Sequence, residues 1–198
     1  SRAPPSIQKP FAIPFPESQP QRAPGLAAIF QEHAASLMEC GMTLEGSGHW
    51  RQNQCLYLSL AAAAGALPGN YHRTADDLRT TIEGAVRRKK PDWEDRDFLG
   101  QEVGAYPDFL LWGMQDTPLL RDRAVAIYDA HTGTCEIFRP LRAAGSTSPV
   151  LALWFSGAHY RWVRWSTPEP SLPDLLNSHH PPGTSRPRVI TVISNAEE

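Results

Sequence analysis

Cys55 is the residue of this chain that is best placed for nucleophilic chemistry. It follows a polar segment, Trp50 to Gln54, and opens an apolar run from Leu56 to Leu67. The run predicts a central helix that is buried on every face, with Cys55 at its N-terminus. A helix N-terminus favours a thiolate and can bind an oxyanion, because it carries partial positive charge and unpaired N–H groups. The pattern therefore predicts a nucleophilic thiol, and the alternative is an inert buried cysteine.

His159 is the second candidate, because it begins a predicted strand after an apolar strand and a short turn, Ser156-Gly157-Ala158. A histidine beside a cysteine can take the thiol proton and so create the nucleophile. The alternative is a buried histidine with a structural use only.

The elements that must position these residues are predicted as helices first and strands afterwards. Apolar residues at helical spacing predict an amphipathic helix from Leu26 to a stop at Gly41, a helix through Ala75, Leu78, Ile82 and Val86, and one or two short helices between 98 and 114. Strands are predicted at 124–128, 135–138, 150–155, 159–165 and 189–193, and the most apolar one, 150–155, is expected at the centre of the sheet. This order predicts an α+β fold: helices around a small, mostly antiparallel sheet, with a buried nucleophile helix.

Two regions differ in composition. Residues 1–24 contain seven prolines and no helical period, which predicts an extended arm or linker. Residues 25–198 have the length of one domain.

Three motifs together resemble the ovarian-tumour (OTU) family of cysteine proteases. The segment from Asn53 to Tyr57 is similar to the family's nucleophile motif, Asp-Gly-Asn-Cys-Leu followed by Tyr or Phe. His159-Tyr160 resembles the start of the family's histidine strand, and Val163 and Arg164 continue the match. Trp112-Gly113, followed by a strand, is similar to the family's middle region, and the separation of the cysteine from the histidine is the one that the family usually shows. The resemblance covers residues 26 to 165.

The resemblance implies a papain-like, OTU-like cysteine protease fold and an acyl transfer through a thioester on Cys55. His159 would act as general base, and the oxyanion would be held by the Cys55 N–H and the loop at Gln52 and Asn53.

The implied substrate is the C-terminal Gly-Gly of ubiquitin or a ubiquitin-like modifier in a peptide or isopeptide bond, so the expected activity is that of a deubiquitinase. Trp50 and Tyr160 are expected to line the narrow channel that such a tail needs.

The sequence departs from the family at two places. Gln52 and Asn53 stand where the family has Asp and Gly, and Arg161 stands where it has an Asp or Asn that orients the histidine. An arginine cannot accept a hydrogen bond from imidazole. Either a dyad operates, or the third residue comes from elsewhere, for example Asn195 or Asp129.

Arg161 also favours an alternative function, that of a non-catalytic OTU-like domain that binds ubiquitin or another partner. A second alternative is a protease of a virus or a bacterial effector that processes its own polyprotein, because the proline-rich arm would suit a domain cut from a longer chain.

Composition narrows the partners and the compartment. The net charge of −2 predicts no binding of nucleic acid, and no apolar run has the length of a membrane span. Three cysteines without a Cys-x-x-Cys pair argue against a disulfide framework and a zinc site, and metal binding at His179-His180 is not favoured. We expect a monomer without metal or cofactor in a reducing compartment, the cytosol, including that of a host cell.

Overall fold

Seven strands form one mixed sheet in the part of the chain that the structure, a computed structural model, describes. The described residues are 10–13, 34–41, 54–67, 69–94, 107–132, 134–143, 145–156, 159–177 and 188–191. The strands are β1 (Phe11–Ile13), β2 (Ala34–Glu39), β3 (Val125–Asp129), β4 (Thr134–Arg139), β5 (Leu151–Ser156), β6 (His159–Trp165) and β7 (Arg188–Thr191). The helices are α1 (Cys55–Ala63), α2 (Tyr71–Lys89), α3 (Pro107–Gln115) and α4 (Leu172–Asn177), with a short 3-10 helix at Leu141–Ala143.

The strands lie in the order β1-β2-β6-β5-β3-β4-β7. Neighbours are antiparallel except for the pairs β3–β5 and β4–β7, which are parallel. The predicted α+β class with a mostly antiparallel sheet is therefore confirmed.

Strand β5 is central, as its apolar sequence predicts. Leu151 and Leu153 point to the face covered by the helices α1 to α3, while Ala152 and Trp154 point to the other face, where α4 packs. A strand buried on both faces has no polar side, which explains why β5 lacks the alternation of a half-exposed strand.

Helix α1 is the buried helix that the apolar run predicts. Eight of its nine residues are buried, and it packs against α2 and β6. It ends at Ala63, before the end of the apolar run, where Gly65 takes a φ of +90° that terminates helices. No helix within the described ranges has both the length and the apolar character needed to cross a membrane.

The prediction of a helix that runs to Gly41 is wrong at residues 34–39, which form β2. Leu37 there pairs with Val163 of β6 on one side and with Ile13 of β1 on the other. Hydrogen bonding to two strands outweighs a local helical spacing of apolar residues, because a strand's preference depends on its neighbours. The first part of the predicted helix, 26–33, lies outside the described residues.

Part of the proline-rich arm belongs to the sheet. Residues Phe11–Ile13 are extended and pair with β2 as the first strand in the sheet order. Within the described residues, the arm is therefore the outermost strand at one end of the sheet.

Gly113 allows α3 to pack closely on α2. A β-carbon at this position would lie 2.6 Å from the Cα of Ile82, which is backbone and cannot rotate away. Close packing therefore explains the glycine of the Trp112-Gly113 pair, because any larger residue at position 113 would push α3 away from α2.

We expect Gly113→Ala to destabilise the fold by about 1–3 kcal/mol, the usual cost of an overpacked core. The matched control is Gly84→Ala in α2, where the nearest atom is Arg88 Nη1 at 3.7 Å. That variant should gain up to about 1 kcal/mol from helix propensity. Urea-induced unfolding measures both free energies, and equal stability of the two variants would contradict the close approach.

Candidate active site

Cys55 is the first residue of α1, and its thiol lies against strand β6. The Tyr160 backbone N–H donates to Cys55 Sγ at 3.5 Å. One helical turn later, the Ser59 hydroxyl donates to the Tyr160 carbonyl at 3.3 Å. These two contacts tie the start of α1 to Tyr160, the residue that directly follows His159 in β6.

The pKa of the Cys55 thiol is raised, because burial disfavours the thiolate. The backbone N–H groups of Tyr160, Leu56 and Cys55 itself act in the opposite direction, as expected at a helix N-terminus, but burial outweighs them. The resting sulfur is therefore a thiol near neutral pH, and it needs a base before it can attack.

His159 presents its two ring nitrogens to different surroundings. Nε2 lies 2.7 Å from Glu39 Oε1 and 2.9 Å from Glu39 Oε2. Nδ1 is buried and has no hydrogen-bond partner among the described residues. In the tautomer that the carboxylate selects, Nε2 carries the proton and donates it to Glu39, which leaves the lone pair of Nδ1 free to accept a proton.

Glu39, the last residue of β2, binds three donors. Its Oε1 accepts from the Gly41 N–H at 3.0 Å, and its Oε2 accepts from Arg161 Nε at 2.8 Å, in addition to the contacts with His159. Burial alone would raise the pKa of Glu39, but the hydrogen bonds from Gly41, His159 and Arg161 and the electrostatic attraction to His159 together lower it. The group is thus a carboxylate near neutral pH.

The antiparallel register of β2 and β6 explains why these side chains meet. Leu37 pairs with Val163 and Met38 with Trp162, so the next step in the same register brings Glu39 opposite Arg161. His159 lies two residues before Arg161 on the same face of β6, diagonally opposite Glu39 and within reach of its long side chain.

Arg161 and Asp129, the two sequence-derived positions that bear on the third residue, therefore have other roles. Arg161 does not replace an acid but binds one, Glu39. Asp129 accepts hydrogen bonds from the backbone N–H groups of His131 and Thr132, as a turn residue does. Asn195, the other suggestion, lies outside the described residues.

The predicted substrate and oxyanion residues are only partly described. Trp50, Gln52 and Asn53 lie outside the described residues, as does His179-His180. The Tyr160 ring packs on the Phe155 ring, with centroids 4.6 Å apart, and Tyr160 is 5% exposed. It therefore contributes to the core around α1, and little of its surface is left for a channel.

Glu39 is the candidate site residue that the sequence analysis does not identify. The signal that could have found it is its position at the end of a strand, but residues 34–39 were predicted as part of a helix. A strand prediction would have placed an acid at an edge that pairs with the histidine strand.

The described residues contain no group of three or more His, Cys, Asp or Glu side chains that could hold a metal ion. The three cysteines are free thiols.

We expect Cys55 to be alkylated faster than the other two thiols near neutral pH. All three are less than 7% exposed, but burial raises the pKa of Cys40 and of Cys135 to about 12. Cys55 instead begins helix α1, and its Sγ accepts from the N–H of Tyr160, which directly follows the candidate base His159. Iodoacetamide labelling followed by peptide mapping gives the three rates, and His159→Ala should slow Cys55 alone. Equal rates at all three positions would contradict a base at His159.

The lowered pKa of Glu39 predicts a pH-dependent stability. The folded state binds this proton less readily than the unfolded chain does, so the stabilisation is present above the ordinary pKa of 4.5 and is lost as the pH falls through the folded value. Glu39→Gln should therefore be less stable than the parent at pH ~7, and the difference should shrink towards pH ~3. Urea-induced unfolding at both pH values measures it, with the exposed Asp92→Asn as control. A difference that is the same at both pH values would refute the depressed pKa.

Comparison with known proteins adds no relative. No family model matches the chain, and neither a curated protein nor a solved structure matches it. The resemblance to the OTU family therefore depends on the motifs of the sequence itself.

Proposed function

We propose that this protein is a cysteine protease with an OTU-like variant of the papain-like fold. In this proposal it cleaves the peptide or isopeptide bond after the C-terminal Gly-Gly of ubiquitin or a ubiquitin-like modifier. Cys55 is the nucleophile, His159 the general base, and Glu39 the carboxylate that orients the histidine.

The observation that supports the proposal is that the two ring nitrogens of His159 have different surroundings. Nε2 is held by the Glu39 carboxylate, and Nδ1 is buried without a partner among the described residues, on a residue whose neighbour, Tyr160, donates to Cys55 Sγ. An unpaired buried nitrogen has a cost of about 1–3 kcal/mol. That cost is accounted for if Nδ1 takes a proton from the thiol during the reaction.

The first half of the proposed reaction consumes the thiol proton. His159 Nδ1 accepts it, and the imidazolium that forms is stabilised by the negative charge of Glu39 at Nε2. The Cys55 thiolate then attacks the carbonyl carbon of the last glycine. The helix N-terminus at Cys55 favours the negative charge on the carbonyl oxygen, and the loop at Gln52 and Asn53 is proposed to supply further N–H donors.

The second half returns the site to its starting state. His159 gives the proton from Nδ1 to the leaving amine, the C–N bond breaks, and a thioester remains on Cys55. His159 then takes a proton from water, and the hydroxide attacks the thioester. The C–S bond breaks, the modifier leaves with a free carboxylate, and His159 returns the proton to the Cys55 thiolate. The raised pKa of Cys55 fits this role of the base, because a thiol that is mostly protonated at rest depends on it.

The choice of ubiquitin rests on the motifs alone. The similarity of the segment around Cys55 and of His159-Tyr160 to the OTU family supports it. The cytosolic location and the polyprotein alternative remain proposals of the same kind.

A non-catalytic ubiquitin-binding domain is the second candidate, and one observation favours it. Cys55 is 4% exposed and its pKa is raised, which is also the environment of an inert cysteine. Arg161, which favours this candidate in the sequence, does so no longer, because it binds Glu39, the acid that the proposal assigns to His159.

The experiment that tests the proposal is incubation with ubiquitin that bears a C-terminal electrophile, read by intact mass. We expect one adduct, which is absent in Cys55→Ala, because Cys55 at the N-terminus of α1 is the proposed nucleophile. His159→Ala should nearly abolish the adduct, and Glu39→Gln should slow it by about 10-fold or more, the order expected for a group that orients and stabilises an imidazolium.

Two controls make the result decisive. Cys40→Ala should leave adduct formation intact, since the pKa of Cys40 is about 12. If no adduct forms while Cys55→Ala still binds ubiquitin, the binding-domain candidate is correct. Probes built on ubiquitin-like modifiers test the remaining substrates.

A further inference from the structure

We propose that Arg161 is a positioning residue that acts through Glu39. With the Gly41 N–H it forms a carboxylate clamp, defined here as Arg161 Nε and the Gly41 backbone N–H, which holds Glu39 against His159. The inference rests on the proposed function, because it assigns a positioning residue to the same proposed site.

The clamp binds the two oxygens of Glu39 separately. Gly41 donates to Oε1 at 3.0 Å and Arg161 donates to Oε2 at 2.8 Å, and both oxygens lie within 2.9 Å of His159 Nε2. Each oxygen thus has one fixed donor besides the histidine. A carboxylate held in this way cannot rotate about its terminal bond without losing a hydrogen bond.

A glutamate needs such a clamp more than an aspartate does. Its side chain has one more rotatable bond, and holding it in one conformation costs more conformational entropy. In the OTU pattern that the sequence resembles, the acid would stand at position 161, on the same strand as the histidine. Here the acid comes from the neighbouring strand β2 instead, so its carboxylate must be fixed from both sides to present a constant geometry to the imidazole.

The Gly41 half of the clamp depends on backbone conformation. Gly41 has a φ of +89°, a region that residues with a side chain rarely adopt. This conformation turns the chain directly after β2 so that the N–H of residue 41 points back to the carboxylate of residue 39.

The Arg161 half contributes charge as well as geometry. The charged and titratable groups that interact with Glu39 are His159 and Arg161 from β6, Cys55 from α1, and its chain neighbour Cys40. The negative charge of Glu39 raises the pKa of the Cys55 thiol, and Arg161 is the cation that pairs with this charge, so its loss should raise that pKa further. The reactivity of Cys55 should then begin at a higher pH.

The test is the iodoacetamide rate of Cys55 as a function of pH, which needs no protein substrate. In Arg161→Met we expect the rising limb of the profile to move up by roughly half a pH unit or more, and the rate at pH ~7 to fall several-fold. Arg161→Lys keeps the charge and should recover part of the rate. The matched control is Arg164→Met, which removes an exposed arginine from the same strand and should leave the profile unchanged.

A double-mutant cycle with Glu39→Gln decides whether Arg161 acts through Glu39. If it does, Arg161→Met should change the Cys55 rate by less than about twofold in the Glu39→Gln background, because the group to be positioned is already altered. The same several-fold loss in both backgrounds would overturn the proposal, as would a profile of Arg161→Met that coincides with the parent's.

Folding and substrate are controlled separately. Thermal unfolding by circular dichroism shows whether each variant is folded, and Arg161→Lys provides the readout if Arg161→Met is not. If the ubiquitin probe forms no adduct but the alkylation profiles shift as expected, the proposed substrate is rejected and the clamp is retained. If the adduct forms but the profiles do not shift, the clamp is rejected and the proposed substrate is retained.

Discussion

The pairing of β2 with β6 is the constraint on which the site depends. It places the end of β2 opposite the start of β6, so that Glu39 meets Arg161 and His159 across two adjacent strands. Antiparallel register is specified to the residue, because a slip by one position would turn every side chain of β2 to the other face. Leu37, fully buried against the core, supplies the energetic reason for this register. The geometry of the carboxylate is thus secured by apolar burial two residues away from it.

Helix α1 has two opposing effects on the pKa of the Cys55 thiol. Its N-terminus and the Tyr160 N–H stabilise a thiolate, while burial of the helix on all sides raises the pKa of Cys55. The burial is also what holds the sulfur against β6, because the same packing fixes the helix at Ser59 and Tyr160. In the proposed reaction this balance gives the histidine a necessary part: the thiol stays protonated until His159 takes the proton.

The separation of roles within three consecutive residues of β6 follows from the strand itself. His159 and Arg161 share one face and both reach Glu39, while Tyr160 points the other way into the core around α1. Period-two alternation thereby gives one short segment a catalytic candidate, a packing residue and a partner for the acid. The arginine that departs from the family's pattern is accounted for by the acid on the adjacent strand.

The sequence by itself determined the features that local patterns encode. The apolar run of α1, the strands of the second half, the central place of β5 and the candidates Cys55 and His159 follow from hydrophobic period and residue type. Only the tertiary structure decided that residues 34–39 form a strand and that Glu39 binds His159. Both depend on pairing between segments that are distant along the chain. The local spacing of apolar residues does not specify which other segment a strand will pair with. The carboxylate that binds His159 therefore lies in a segment whose apolar spacing equally suits a helix.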